Sequence, residues 1–222
     1  RLPIDNPQLT TAFDKLYSGD DALSKTYRDA RESREALMES DVEMQMANNG
    51  APIPKGFSRD AQRLARLMVK DSRIELAFLA LGGWDTHINQ GNSKGQLSQR
   101  LQRLGDGLAT LQEELGEVYK NTNIVVVSEF GRTVKENGNG GTDHGHGNVM
   151  WLLGGNIRGG QVYGDFPGLS NNQLHQGRDL AITTDFRDVI STVLQRQMNL
   201  DKAKISQIFP NYNFSNSEQL FS

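Results

Sequence analysis

Ile74-Glu75-Leu76-Ala77-Phe78-Leu79-Ala80-Leu81, closed by Gly82-Gly83, is an apolar run of strand length. The stretch after it decides the fold. Leu97, Leu101, Leu104, Leu108, Leu111, Leu115 and Val118 recur at 4-3-4-3-4-3 spacing, which puts all seven on one stripe of a helix. Ile124-Val125-Val126-Val127-Ser128 follows, β-branched and suited to burial on both faces. A coiled coil could carry the leucine stripe. A single helix between two apolar strands more simply packs on a sheet, so the pattern predicts a right-handed parallel βαβ unit.

Working outward, Ser58 is a plausible N-cap for a helix carrying Ala61, Leu64, Ala65 and Met68 on one face. Val149-Met150-Trp151-Leu152-Leu153 predicts a third strand, and Arg158 to Tyr163 a short hairpin arm. Thr183-Thr184-Asp185 offers caps for a last helix with Phe186, Val189, Ile190, Val193 and Leu194. The expected class is α/β, a mostly parallel sheet with helices on both faces.

Residues 1–56 read as a peripheral helical segment. Its charged stretch Asp20 to Asn48 carries a thin apolar set, and Asn48 to Gly56 forms a linker. Residues 57–222 form the α/β domain. The chain opens with Arg1-Leu2-Pro3, without an initiator Met or signal peptide, and reads as a processed product or fragment.

Composition narrows the function. Among 222 residues, 24 Lys and Arg face 27 Asp and Glu, a net charge of −3 that argues against a nucleic-acid binder. No apolar run reaches membrane-span length, so no membrane insertion is expected. The absence of cysteine excludes disulfides, thiolate nucleophiles and Cys-ligated zinc.

Open parallel sheets bind ligands beyond the carboxyl ends of their strands. There the sequence places Gly82-Gly83-Trp84-Asp85-Thr86-His87, then Glu129-Phe130-Gly131-Arg132-Thr133, then Gly140-Gly141-Thr142-Asp143-His144-Gly145-His146-Gly147. Three of four histidines thus share one expected edge with several carboxylates. Oxygen and imidazole donors without sulfur suit a divalent metal, zinc or manganese foremost. The candidate ligands are Asp85, His87, Glu129, Asp143, His144 and His146. Arg132 is the candidate for a substrate oxyanion, since its planar fork matches two oxygens of a phosphate or sulfate. The glycines would let backbone approach a metal or an anion. His175 reads as an exposed loop residue, and Trp84 and Trp151 as packing.

These motifs resemble the alkaline phosphatase superfamily, and more closely its uncharacterised bacterial branch known as domain of unknown function 1501. The matches are Gly82 to His87, Ser128 to Thr133, Gly140 to His144 and Gly159-Gly160-Gln161-Val162-Tyr163-Gly164, spread over about residues 58–195. The resemblance implies an alkaline phosphatase-like fold lacking its N-terminal half, two divalent metals at strand ends, and phosphate or sulfate esters as substrates. It also implies twin-arginine export to the periplasm. By that correspondence Asp85 and His87 fall in the first ligand region, Glu129 replaces an Asp, and His144 stands for the distal His. Phe130 falls where a second His ligand would be, and His146 is the candidate to replace it. No nucleophile is recognisable. A metal-dependent ester hydrolase is therefore expected, with a non-catalytic exported binding module on the same fold as the alternative.

Overall fold

The computed structural model describes residues 7–32 and 56–221. Helix α1 (Pro7–Leu16) and the helical residues 22–32, α2, are joined by side chains: Tyr27 donates to Asp14 Oδ1 at 2.8 Å and Arg31 pairs with the same carboxylate. The expected helix thus holds over 22–32. Residues 33–55, with most of the linker, lie outside the described residues.

Helix α3 (Phe57–Lys70) packs against α4 (Gln96–Leu115). Ala61 and Ala65 are fully buried and cluster with Leu111 and Leu115 of α4. Leu104, Leu108, Leu111 and Leu115 form the buried part of the stripe, whereas Leu101 is 41% exposed. Ser58 lies within α3, and Gly56 occupies the N-cap without a side-chain bond. Gly116, in the left-handed region at φ 51°, ends α4 where a side chain would be strained. The chain then winds through a 3-10 segment (Gly116–Asn121), which takes Val118.

Strand β1 (Asn123–Val126) pairs with β2 (Trp151–Gly154), and the pairing is antiparallel, Ile124 opposite Leu153 and Val126 opposite Trp151. This overturns the expected mostly parallel sheet. A parallel pair needs a crossover that returns the chain to its starting end, usually through a helix. Residues 127–150 contain bends and isolated bridges but no helix, so the chain turns back alongside β1 in the opposite sense.

The expected first strand is absent as well. Residues 75–83 make no backbone–backbone hydrogen bond to another described residue. Leu79 packs on the α3/α4 cluster, while Leu76 and Phe78 are 77% and 89% exposed. The hairpin arm over 158–163 does not form either. Ile157 bridges Phe221, and the Arg158 N–H donates to the Leu220 carbonyl.

The two-stranded sheet, small as it is, does not form the layer flanked by helices that was expected, and its residues join two separate clusters. Alternate residues of β1 go to opposite clusters, as period-two geometry requires. Ile124 joins the α3/α4 cluster; Val125 and Leu152 join Val189 and Val193 of α5 (Phe186–Met198). Asp185 caps α5 as expected, its carboxylate accepting from the Arg187 N–H, while Phe186 is half-exposed at the helix start. A short α6 (Lys202–Ile208) follows, and the last residues cross α5, where Leu220 and Phe221 are buried. No helix among the described residues is long and apolar enough to cross a membrane.

Candidate metal centre

Three loops that the sequence separates are laced together beside this core. Thr142 N donates to Thr86 O at 3.1 Å, Asn89 N to Asn139 O and Gln90 N to Gly140 O, which joins residues 86–90 to 139–142. Arg132 forms an antiparallel bridge with His144, flanked by bonds from Thr133 N to Asp143 O and from Gly145 N to Gly131 O. The motif glycines make this lacing feasible by close approach of backbone to backbone. A Cβ on Gly141 would strike the carbonyl groups of Thr86 and His87, one on Gly145 the Arg132 carbonyl, and one on Gly131 the Gly147 carbonyl. Their neighbours are the adjoining loops of the chain itself.

The lacing brings Asp85, His87 and His144 to one point. Asp85 Oδ1 lies 2.9 Å from His87 Nε2 and 2.7 Å from His144 Nε2, and the two imidazole nitrogens are 3.2 Å apart. Among the described residues these three form the only group of histidine and carboxylate donors close enough to share one ion. The donor set, two imidazoles and one carboxylate open to solvent, fits a divalent transition metal held by three protein ligands with room for another.

The other expected ligands stand elsewhere. Asp143 Oδ1 lies 2.9 Å from His87 Nδ1, the ring nitrogen directed away from the convergence. Glu129 is exposed and accepts from the Ser128 hydroxyl at 3.1 Å; its own backbone N–H and that hydroxyl hold its carboxyl below the usual value. His146 stacks on His175, ring centroids 4.1 Å apart and 9° from parallel. His175, read from sequence as an exposed loop residue, is half-buried and is the partner of a motif histidine. Phe130 packs on the His144 ring at 4.3 Å.

Each nitrogen of the Arg132 guanidinium makes one hydrogen bond. Its Nη1 donates to Asp85 Oδ1 at 2.6 Å, its Nε to Thr142 Oγ1 at 3.1 Å, and its Nη2 to the Thr142 carbonyl. The guanidinium bond, seconded by His144, pulls the Asp85 carboxyl down to about 2. Gln90 Oε1 accepts from both threonines that line these loops, Thr86 at 2.7 Å and Thr142 at 2.6 Å. Sequence reasoning passed over Gln90 and Asn137, whose importance lies in contacts with loops distant in sequence. Asn137 Nδ2 donates to His87 O at 3.1 Å and to Asp143 Oδ1 at 3.0 Å. The single hint was a glycine-rich turn around Asn137, where an Asn side chain commonly bonds nearby backbone.

The model of a family described as protein of unknown function (DUF1501) covers residues 9–209, and the chain belongs to that family. The match extends beyond the motifs at both ends and takes in α2 and all but the first two residues of α1. No curated protein and no solved structure matches the chain.

Proposed function

We propose that this member of the family is a metal-dependent hydrolase of phosphate or sulfate esters whose divalent ion, zinc or manganese, is held by Asp85, His87 and His144. The observation that carries the reading is the meeting of two Nε2 atoms and one carboxylate oxygen within 3.2 Å of one another. A divalent metal supplies Lewis acidity toward an ester oxygen. The chain's own residues set the charge around it. Arg132 neutralises Asp85 in the structure described, and its Nη1 is the group that could turn from that carboxylate to a substrate oxyanion. The ester chemistry and the superfamily relationship rest on the motif likeness alone, and the parallel sheet is no part of them. Periplasmic or exported placement rests on the same likeness, and a small phosphate- or sulfate-bearing molecule is the partner it suggests.

A second reading is favoured by two contacts. Phe130 covers one side of the His144 ring, and the hydroxyls of Thr86 and Thr142 are both engaged with Gln90 rather than directed to the three donor atoms. These suit a non-catalytic binding module that keeps a metal. Metal content of chelator-free protein, wild type beside His144→Ala, followed by hydrolysis of aryl phosphate and aryl sulfate esters, separates the readings. Stoichiometric metal lost in the variant, with metal-dependent hydrolysis, supports the enzyme. Metal without hydrolysis supports the module, and equal metal in both proteins overturns the centre.

A further inference from the structure

Asp143 stands beside the three converging donors and does not point at the place where they meet. Its Oδ1 lies 2.9 Å from His87 Nδ1, whereas His87 Nε2 faces Asp85 Oδ1 and His144 Nε2. An ionised carboxylate only accepts hydrogen bonds, so Asp143 requires the proton on His87 Nδ1. The tautomer with that proton leaves Nε2 its lone pair for a cation, and the 2.9 Å contact of Nε2 with Asp85 Oδ1 calls for a proton or a cation between them. Asp143 is itself fixed. Asn137 Nδ2 donates to the same Oδ1 at 3.0 Å, the Asp143 N–H donates to Thr133 Oγ1 at 3.1 Å, and its carbonyl accepts from the Thr133 N–H at 2.9 Å. Asn137 is anchored in turn, its Oδ1 accepting from the N–H groups of Asn139 and Gly141. Its Nδ2 also donates to the His87 carbonyl, so one amide grips both the carboxylate and the backbone of the histidine it faces.

We propose that Asp143, held by Asn137, is a positioning residue that sets the tautomer and ring orientation of His87 for a divalent cation, and is not itself a ligand of that cation. The assignment rests on the metal centre proposed above. A carboxylate on the far nitrogen of a ligating imidazole raises its basicity and fixes its aim, and its loss commonly lowers metal affinity by about 10- to 100-fold while the ligands remain.

The test is Co²⁺ titration of the full chain, followed by its visible spectrum and by competition with a chelator, in wild type, Asp143→Asn, Asp143→Ala and Asn137→Ala. Every variant is expected to bind one equivalent of Co²⁺ with a band of wild-type position and intensity. Affinity should fall by about 10- to 100-fold in Asp143→Ala, with partial rescue in Asp143→Asn, whose amide oxygen can still accept from Nδ1–H, and a smaller fall in Asn137→Ala. Circular dichroism checks that each variant is folded. A changed band in Asp143→Asn would make Asp143 a ligand, and unchanged affinity in both Asp143 variants would remove its positioning role. Either result overturns the assignment and leaves the metal centre intact. Failure of the wild type to bind Co²⁺ overturns the centre, and the assignment with it.

Discussion

His87 and His144, 57 positions apart in the chain, bring their Nε2 atoms to 3.2 Å of each other, with Asp85 Oδ1 within 2.9 Å of both. Two imidazole lone pairs repel at that distance unless a proton or a cation lies between them and the carboxylate. Replacing either histidine by alanine, or Asp85 by asparagine, should abolish stoichiometric zinc or manganese. Arg132→Ala should keep it, because the guanidinium is a cation that faces Asp85 and not a ligand. Elemental analysis of the four variants checks this; metal retained in His87→Ala would exclude that residue from the centre.

Gly141 fixes how closely the loops of His87 and His144 approach, since its Cα faces the Thr86 and His87 carbonyl groups at backbone contact. A methyl group there has nothing flexible to displace. Gly141→Ala should destabilise the chain by about 1–3 kcal/mol, as overpacking generally does, and should weaken metal binding by shifting His87. Gly138→Ala, in the same loop with open space around it, is the control and should leave metal binding unchanged. Equal affinities in the two variants would show that loop spacing does not govern the site.

The leucine stripe of α4 offers a matched pair. Leu115 is 1% exposed and packs on Ala61 and Ala65, whereas Leu101, three residues before buried Leu104 on the same stripe, is 41% exposed. Leu115→Ala should cost about 2–5 kcal/mol by losing burial and leaving a cavity. Leu101→Ala should cost roughly 0.5 kcal/mol or less. Chemical denaturation of both variants measures the difference directly.

That pair also marks how far the sequence is legible. Helices α3, α4 and α5 could be read because side chains three and four apart share a face, which is a local property. Strand pairing is not local. Ile124 to Val126 reads as a strand, yet its partner and direction depend on the path of residues 127–150, whose Gly and Asn residues allow many paths. Ile74 to Leu81 has strand composition without a ladder, since apolar content does not supply a neighbour. At the site, residue types pointed to Asp85, His87 and His144. Whether Asp143 meets a metal or the back of His87, and that His146 meets His175, depend on distances between loops.

Acid should loosen the site through Asp85. Arg132 first, then His144, holds its carboxyl at about 2, below the ordinary 3.8. A carboxyl with a depressed native pKa favours the folded state fully above its unfolded value, and that contribution fades as pH falls from about 4 to about 2. Asp85→Asn should therefore flatten the acid limb of stability against pH in metal-free protein. A limb as steep as that of the wild type would place the acid sensitivity elsewhere.

Alkali should act through Tyr212, at the other end of the chain. Its partial burial, and then the bond its hydroxyl donates to Asp188 Oδ1 at 2.9 Å, push its pKa up to about 12. Arg187, 3.7 Å over the ring, opposes the shift but does not cancel it. The sign is the reverse of the acid case: the native state favours the protonated phenol. The contribution is complete below the unfolded value near 10 and disappears as pH rises toward about 12. Two of the five tyrosines, Tyr212 and Tyr27, should thus ionise above the ordinary value in a phenolate absorbance titration, Tyr27 because burial and its bond to Asp14 raise it. Tyr212→Phe should remove the step at about 12. The same variant should loosen the crossing of the last residues over α5, because Asp188 Oδ1 also accepts from the Ser215 N–H and would keep only that bond. A step at about 12 that persists in Tyr212→Phe would assign it to another tyrosine and leave the crossing independent of the phenol.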